Sequence, residues 1–258
     1  MAVRRVIVGV DASVSSSSAL QWAVAEAARV GCVLVIVHVA RHSTPAFAGR
    51  HRPAVPGGDP TLARAVVLAH DRHEPARVQP VLRTGPAADA LVELAYADDI
   101  LVLGAPAPGR RWARASTTHQ VIMRASCPVV LVPVASAITG RQVVVGIDRP
   151  ALAMAALRFG FAFAGRNLLP LTVMLVSEEP RAAENLRSSV EALARRYQQV
   201  AVEWLVGHGP AAAVLASASG GAALVVVTVQ DNGPGPLVRG LIGQARCPVA
   251  TTAPVRTR

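Results

Sequence analysis

Short runs of aliphatic residues alternate along the chain with longer segments in which apolar residues recur every three or four positions. The aliphatic runs, such as VIVGV at 6–10 and LVIVHV at 34–39, are apolar at nearly every position. Such runs are typical of parallel strands buried on both faces, whereas the longer segments are typical of amphipathic helices. The pattern predicts an α/β fold in which strands and helices alternate.

The same pattern occurs twice. VIVGVD at 6–11 matches VVVGID at 143–148, TGPAADAL at 84–91 matches HGPAAAVL at 208–215, and CPVVLVPV at 127–134 matches CPVATTAP at 247–254. An internal repeat of this length indicates two copies of one structural unit. We therefore expect two domains, residues 1–136 and 141–254, each with the order β-α-β-α-β-α-β-α-β.

Right-handed crossovers between the strands then give each domain a doubly wound, mainly parallel sheet of five strands with helices on both faces. The helix after Gly85 is expected to have Pro86 in its first turn. The stretch 41–58 lacks periodicity and is interpreted as a long surface loop. In the first domain the predicted strands lie near 5–10, 33–39, 78–82, 100–103 and 129–133, and the helices near 14–30, 60–73, 86–97 and 116–125. In the second domain the predicted strands lie near 142–147, 170–176, 200–206, 223–228 and 248–252, with a well-formed helix at 179–197.

Ligands of doubly wound sheets bind outside the carboxyl ends of the strands, where the strand order reverses. In the first domain this rule places Asp11, Val39 and the loop 104–117 together. Asp11 has a second interpretation, because an aspartate after a strand also caps the following helix. His38 is interpreted as a strand residue at the sheet end.

Composition excludes several classes of function. Hydrophobic residues make up 52% of the 258 residues and charged residues 16%, which is typical of a well-buried globular protein. All 26 basic residues are arginine, so no phosphate loop with a lysine and no lysine Schiff base exists. The net charge of +10 is shared equally between residues 1–136 and 137–258, which argues against a dedicated nucleic-acid face. Nucleic-acid binding driven by this charge is kept as an alternative.

Cysteine usage and hydropathy favour the cytoplasm. Cys32, Cys127 and Cys247 lie in or beside apolar runs without the spacing of metal ligands, so we interpret them as reduced core residues and predict no metal. No apolar run approaches the roughly 20 residues that a membrane-spanning helix needs.

The chain resembles tandem universal stress proteins. The motifs that carry the resemblance are VIVGVDASVSSSSAL, LVIVHVA, TGPAADALVELA, LVLGA and CPVVLVPV, in the order of that family. The resemblance implies a Rossmann-like fold in each domain. Many members bind ATP through an aspartate after the first strand and a loop of pattern G-x2-G-x9-G-[ST] after the fourth strand, whereas others lack this pattern and do not bind ATP.

The resemblance implies a partly degenerate ATP site in the first domain. Asp11 matches the family's aspartate, and Val39 matches the position whose backbone meets adenine. The loop keeps its first glycine, but alanine replaces the second and third, and prolines at 106 and 108 remove backbone N–H donors. Two interpretations stay open here, an ATP site and a relic of one. The residues assigned to the loop are Gly104, Ala107, Gly109, Ala115, Ser116 and Thr117.

The second domain keeps Asp148. The loop after its fourth strand is too short for the family pattern, and it has Thr228 in place of the first glycine and Pro236 in place of the hydroxyl residue. The resemblance therefore implies that it binds no nucleotide. We expect a cytoplasmic, non-catalytic regulatory protein of stress adaptation, with ATP possible in the first domain only. Its two domains are expected to pair within the chain, with homodimers and an unidentified protein as further partners. The alternatives are an interaction protein without nucleotide and a slow ATPase of the first domain.

Overall fold

A computed structural model describes residues 3–40, 59–71, 77–106, 116–134, 140–176, 180–230 and 233–253. The described residues form two compact units. One contains the residues up to 134 and the other those from 140 onward. We refer to them as the first and second copy, after the sequence repeat. The predicted loop 41–58 lies outside the described residues, as do Ala107, Gly109, Ala115, Glu178 and Glu179.

Among the described residues, ten strands form where the aliphatic runs predict them. Their side chains are mostly buried, and valine, leucine and isoleucine supply nearly all of this core. β-branched residues suit strands because their restricted side-chain torsion packs well on a pleated surface. The strands are β1 Arg5–Val10, β2 Val33–Ala40, β3 Arg77–Thr84, β4 Ile100–Gly104, β5 Val129–Val132, β6 Gln142–Ile147, β7 Leu171–Leu175, β8 Val202–Val206, β9 Ala222–Thr228 and β10 Val249–Thr252.

Each copy contains a parallel five-stranded sheet. The strand order is β3-β2-β1-β4-β5 in the first copy and β8-β7-β6-β9-β10 in the second. In the first copy β1 pairs with β2 on one side and with β4 on the other, so the strand order reverses there. β6 is the equivalent strand of the second copy, between β7 and β9. The predicted fold class is confirmed.

Eight α-helices are present among the described residues, and their ends depend on local hydrogen bonds that the sequence pattern does not show. The helix expected at 86–97 is shorter than predicted, because Pro86 is its N-cap and the chain becomes extended at Ala95. The helix expected at 60–73 ends at His70, with Asp71 as its C-cap. The helices are α1 Val14–Val30, α2 Pro60–His70, α3 Ala87–Leu94, α4 Thr117–Arg124, α5 Ala153–Asn167, α6 Pro180–Arg196, α7 Ala211–Ala218 and α8 Pro236–Ile242.

A buried ion pair in the first copy fixes the chain at the end of α3. The Asp99 side chain is fully buried and accepts two hydrogen bonds from Arg5, at 3.1 Å to Oδ1 and 2.6 Å to Oδ2. Asp99 Oδ2 also accepts a hydrogen bond from the Tyr96 N–H at 2.9 Å, and this bond turns the chain after α3. The hydrogen bond and the negative charge of Asp99 raise the pKa of Arg5 against the opposing effect of desolvation. Removing one partner would leave the other charge buried and unpaired, which is strongly destabilising.

Candidate functional site

A cleft opens in the first copy at the carboxyl ends of β1, β2 and β4, where the strand order reverses. Its empty volume is about 560 Å³, part of which is open to solvent. The cleft is lined by both apolar and polar residues. The apolar side chains and the glycines that line it are Gly9, Val10, Val37, Val39, Ala87, Leu91, Leu103 and Gly104; the polar ones are Asp11, Ser13, Ser15, Ser16, Thr117 and Thr118.

Asp11 lies at the turn between β1 and α1, with its carboxylate held by the following serines. Asp11 Oδ1 accepts a hydrogen bond from the Ser13 N–H at 3.1 Å, and the Asp11 N–H lies 3.4 Å from Ser16 Oγ. Desolvation would raise the pKa of Asp11, but hydrogen bonds from Ser13 and Ser16 and the nearby His38 together hold it below its ordinary value. Asp11 is therefore an ionised acceptor at neutral pH, available to donors of a bound ligand.

The interpretation of Asp11 as the cap of α1 is wrong, because Ser13 takes that place. Ser13 Oγ accepts the Ser16 N–H at 3.1 Å, and its backbone is extended as an N-cap requires. Ala12, between the two, has a left-handed backbone with φ of 63°. For an alanine this conformation costs about 1–2 kcal/mol. The turn thus stores strain at the point where the aspartate faces the cleft.

Gly104 allows the end of β4 to approach the first turn of α1. A Cβ atom on Gly104 would lie 2.6 Å from the backbone carbonyl carbon of Ser15 and 2.7 Å from its Cβ atom. No side chain fits at that distance, so glycine is required for this packing. Ser15 Oγ in turn lies 3.1 Å from Ser13 Oγ. The result is a row of hydroxyl groups along one wall of the cleft.

The N-terminus of α4 also contributes to the lining of the cleft. Ser116 is its N-cap, and Ser116 Oγ accepts the His119 N–H at 3.3 Å. Thr117 and Thr118 line the cleft. The backbone N–H groups at the first turn of a helix, together with the helix dipole, favour anionic ligands. This part of the lining suits a phosphate group.

The structure brings four of the eight residues predicted for the site into the lining of the cleft: Asp11, Val39, Gly104 and Thr117. Ser116 adjoins them as the cap of α4, and the other three lie outside the described residues. The sequence interpretation missed Ser13, Ser15, Ser16 and Thr118 as lining residues. The three serines belong to the run SVSSSS at 13–18, which closely follows the first predicted strand.

The equivalent place in the second copy is built differently. A Cβ atom on Gly146 would lie 2.3 Å from Leu215 Cδ1, whereas one on Gly9 would lie 3.4 Å from the equivalent leucine, Leu91. Leucine therefore approaches the sheet more closely in the second copy. In the position of Gly104 the second copy has Thr228, whose hydroxyl oxygen lies 3.5 Å from that of Thr252.

The helix that follows the first strand also begins differently in the second copy. A 3-10 turn at Pro150–Leu152 precedes α5, which begins at Ala153, the position equivalent to Ser16. In the first copy α1 is already helical at Val14, two positions earlier in the repeat. No hydroxyl caps α5, and α8 also begins without a side-chain cap, at Gly235. The second copy therefore lacks the row of hydroxyl groups that characterises the cleft of the first.

Neither a metal cluster nor a membrane-spanning helix is found in the part of the chain that the structure describes. That part contains no group of three or more His, Cys, Asp or Glu side chains able to hold a metal ion. Its helices are all too short or too polar to cross a bilayer.

Comparisons with known proteins agree with this fold. The sequence model described as the universal stress protein family matches residues 2–133, just over half of the chain. No curated protein sequence matches the chain.

Solved structures are similar over nearly the whole length. A universal stress protein from Archaeoglobus fulgidus shows a TM-score of 0.68 at 16% identity, with 97% of this chain and 96% of that one covered. A functionally unknown protein from Pseudomonas aeruginosa PAO1 shows a TM-score of 0.65 at 14% identity, covering 98% and 93%. A putative universal stress protein from Pseudomonas aeruginosa UCBPP-PA14 shows a TM-score of 0.63 at 14% identity, covering 98% and 94%. At these identities the likeness shows the fold alone.

Proposed function

The chain belongs to the universal stress protein family, and we propose that it is a cytoplasmic, non-catalytic regulatory protein of stress adaptation whose first copy binds ATP. The observation that carries the proposal is the cleft of the first copy, whose lining combines one carboxylate, serine hydroxyls, the N-terminus of α4 and apolar side chains. The second copy, in this proposal, binds no nucleotide and serves as a structural and interaction module.

The chemistry of the lining residues supports a nucleotide as the ligand. Val37, Val39 and Leu91 offer an apolar surface of the kind that a base requires. Asp11 accepts hydrogen bonds and so suits the hydroxyl groups of a ribose. The N-termini of α1 and α4 supply backbone N–H groups for phosphate oxygens. The family resemblance, rather than the geometry, selects adenine.

The acidic groups of the cleft favour a protein that binds ATP over an enzyme that hydrolyses it. Among the described lining residues Asp11 is the one carboxylate. Phosphoryl transfer requires a metal held by protein ligands and a positioned water. A single carboxylate that faces the ribose side of a ligand does not supply both.

The contrast between the copies supports binding at one site per chain. Thr228 replaces the glycine that admits the first turn of α1, and Leu215 lies closer to the sheet than Leu91 does.

The family resemblance also supports pairing of the two copies within the chain, and a scattering curve of two independent units on a tether would contradict that pairing.

The test is a measurement of nucleotide content and affinity. The protein is purified without added nucleotide and denatured, the released nucleotide is quantified, and ATP is titrated by calorimetry. We expect about one ATP per chain. Asp11→Ala should weaken binding by about tenfold or more, because the variant loses charge-assisted hydrogen bonds to the ligand.

Asp148→Ala is the matched control, since it removes the equivalent aspartate from the second copy. It should leave both the stoichiometry and the affinity unchanged. Phosphate release from ATP should be no faster in the wild type than in Asp11→Ala. Absence of bound nucleotide and of heat on titration would show that the cleft binds no ATP, and the interaction protein without nucleotide would then replace this proposal.

A further inference from the structure

His38 makes a hydrogen bond directly behind the cleft. Its Nδ1 atom lies 2.8 Å from the carbonyl oxygen of Val10, the residue that immediately precedes Asp11. A carbonyl oxygen only accepts hydrogen bonds, so Nδ1 must carry a proton and donate it. His38 thereby fixes the last peptide group of β1 and, through it, the start of the turn that holds Asp11.

The other nitrogen of the same ring faces the start of α2. His38 Nε2 lies 3.6 Å from Asp59 Oδ2, and the two side chains are only 16% and 19% exposed. Asp59 is the N-cap of α2, and its second oxygen, Oδ1, accepts the Leu62 N–H at 2.9 Å. One carboxylate therefore caps α2 with one oxygen and faces the imidazole with the other.

The protonation state of His38 determines whether its contact with Asp59 is attractive or repulsive. Because Nδ1 is committed as a donor, neutral His38 directs the lone pair of Nε2 at a carboxylate oxygen, which is repulsive. Protonated His38 directs an N–H of a cationic ring at the same oxygen, which is attractive. Histidine changes its charge between about pH 5 and 8.

The described surroundings of His38 contain acids and hardly any competing base. Asp59 faces it from α2, and Asp11 interacts with it electrostatically from the turn after β1. On β3, Leu82 lies opposite His38 in the register, and Arg83 turns back to donate to the Leu82 carbonyl at 3.4 Å. The first two turns of α1, residues 14–20, carry no charged side chain.

We infer that His38 is a positioning residue that joins the turn of Asp11 to the N-terminus of α2 and makes ligand affinity in the cleft depend on pH. Protonated His38 holds Asp59 and places a positive charge behind the cleft, so an anionic ligand binds more tightly at low pH. Loss of the proton releases Asp59 and weakens both the cap of α2 and the binding. The part of this inference that concerns the ligand rests on the proposed function; the part that concerns α2 does not.

The contact with α2 is tested without ligand. Hydrogen exchange of the Leu62 N–H is followed from pH 6 to pH 8 and corrected for intrinsic exchange. In the wild type, protection should fall about fivefold over this range, a modest change for a charge pair that is partly exposed. His38→Asn keeps a donor near the Nδ1 position but no group near Asp59, and Asp59→Asn keeps the cap but removes the charge. Both variants should show a flat profile.

His70→Asn is the matched control, because His70 is an exposed histidine at the far end of the same helix. It should retain the slope of the wild type. A flat wild-type profile, or an equal slope in His38→Asn, would overturn the link between His38 and α2, whatever the ligand.

The contact with the cleft is tested by titrating ATP at the same pH values. Free ATP ionises in the same way in both titrations, so the difference between wild type and His38→Asn isolates the contribution of His38. The wild type should lose about fivefold more affinity than His38→Asn between pH 6 and 8. Equal losses would overturn the pH dependence of binding while leaving the ATP site in place. Absence of ATP binding at every pH would instead overturn the proposed function, and the exchange profiles alone would then decide the role of His38.

Discussion

Burial determines the reactivity of the three cysteines. Cys127 and Cys247 are each 2% exposed, and each precedes a proline at the start of the last strand of its copy. Desolvation raises the pKa of both thiols to about 12, and the charge of Asp99 adds to this effect at Cys127. Cys32 is only partly buried. Because the thiolate is the reactive form of cysteine, the three residues should differ in reactivity.

We predict that iodoacetamide at pH 8 labels Cys32 in the native protein and leaves Cys127 and Cys247 unlabelled. Mass spectrometry of the digested protein identifies the labelled residues, and the same reaction in urea, where all three should react, is the control. The two buried thiols also make the free energy of unfolding depend on pH. Because their pKa in the folded protein is above its ordinary value, their contribution to stability is complete below about pH 9 and is lost as the pH rises toward 12. Native labelling of Cys127 at the rate of Cys32 would contradict this account.

At the scale of elements, the two copies end their first helix in the same way with different residues. The C-cap of α1 is Gly31, with φ of 72°, and the equivalent C-cap of α5 is Leu168, with φ of 52°. Glycine adopts this left-handed conformation without penalty, whereas a residue with a Cβ atom pays about 1–2 kcal/mol. Leu168 gains little in return, because it is 81% exposed. The second copy thus carries a local strain that the first copy avoids.

Leu168→Gly should therefore stabilise the protein, by about 1 kcal/mol once the greater chain entropy of glycine in the unfolded state is subtracted. The free energy of unfolding is measured by urea denaturation. Leu168→Ala is the matched control, since it removes the exposed apolar side chain but keeps the Cβ atom, and it should leave stability nearly unchanged. Equal stabilisation by alanine and glycine would show that the exposed leucine, rather than the backbone conformation, causes the effect.

The elements themselves were predictable because their signals are local. Strands such as β1 and β6 are apolar at successive positions, and their observed ends agree with the predicted ones. The end of α3 was not predictable, because the Asp99 side chain that accepts the Tyr96 N–H is held in place by Arg5, 94 positions away in the sequence. Hydrogen bonds of this kind connect residues that the pattern of a single segment cannot relate.

The same reason explains why some residues of the cleft were predicted from the sequence and others were missed. Asp11 and Gly104 follow their strands directly, so the topology of the sheet places them together. The role of Ser15 depends on its contact with Gly104, 89 positions away in the sequence. The bond of His38 to the Val10 carbonyl is equally non-local. Residues that act through such contacts become visible only in the folded chain.

At the scale of the whole molecule, the net charge of +10 raises the question of whether the protein binds nucleic acid. Arginine contributes all of the positive charge, and the two copies carry equal shares of the excess. Several described arginines are already engaged: Arg5 with Asp99, Arg29 with Glu26 and Arg124 with Asp89, while Arg187 lies over the ring of Trp204. A nucleic-acid protein concentrates its free basic residues on one face.

We therefore predict that association with DNA is weak, independent of sequence and confined to low salt. Fluorescence anisotropy with a labelled duplex should show binding at about 50 mM salt that disappears by about 200 mM, because the release of counterions drives it. Heparin, a polyanion without bases, should compete as well as DNA does at equal charge. If binding instead persists at 200 mM salt and depends on the sequence of the duplex, the charge serves recognition and nucleic acid becomes a partner of this protein. If it follows the predicted salt dependence, the arginines act as a general surface charge rather than as a recognition site for nucleic acid.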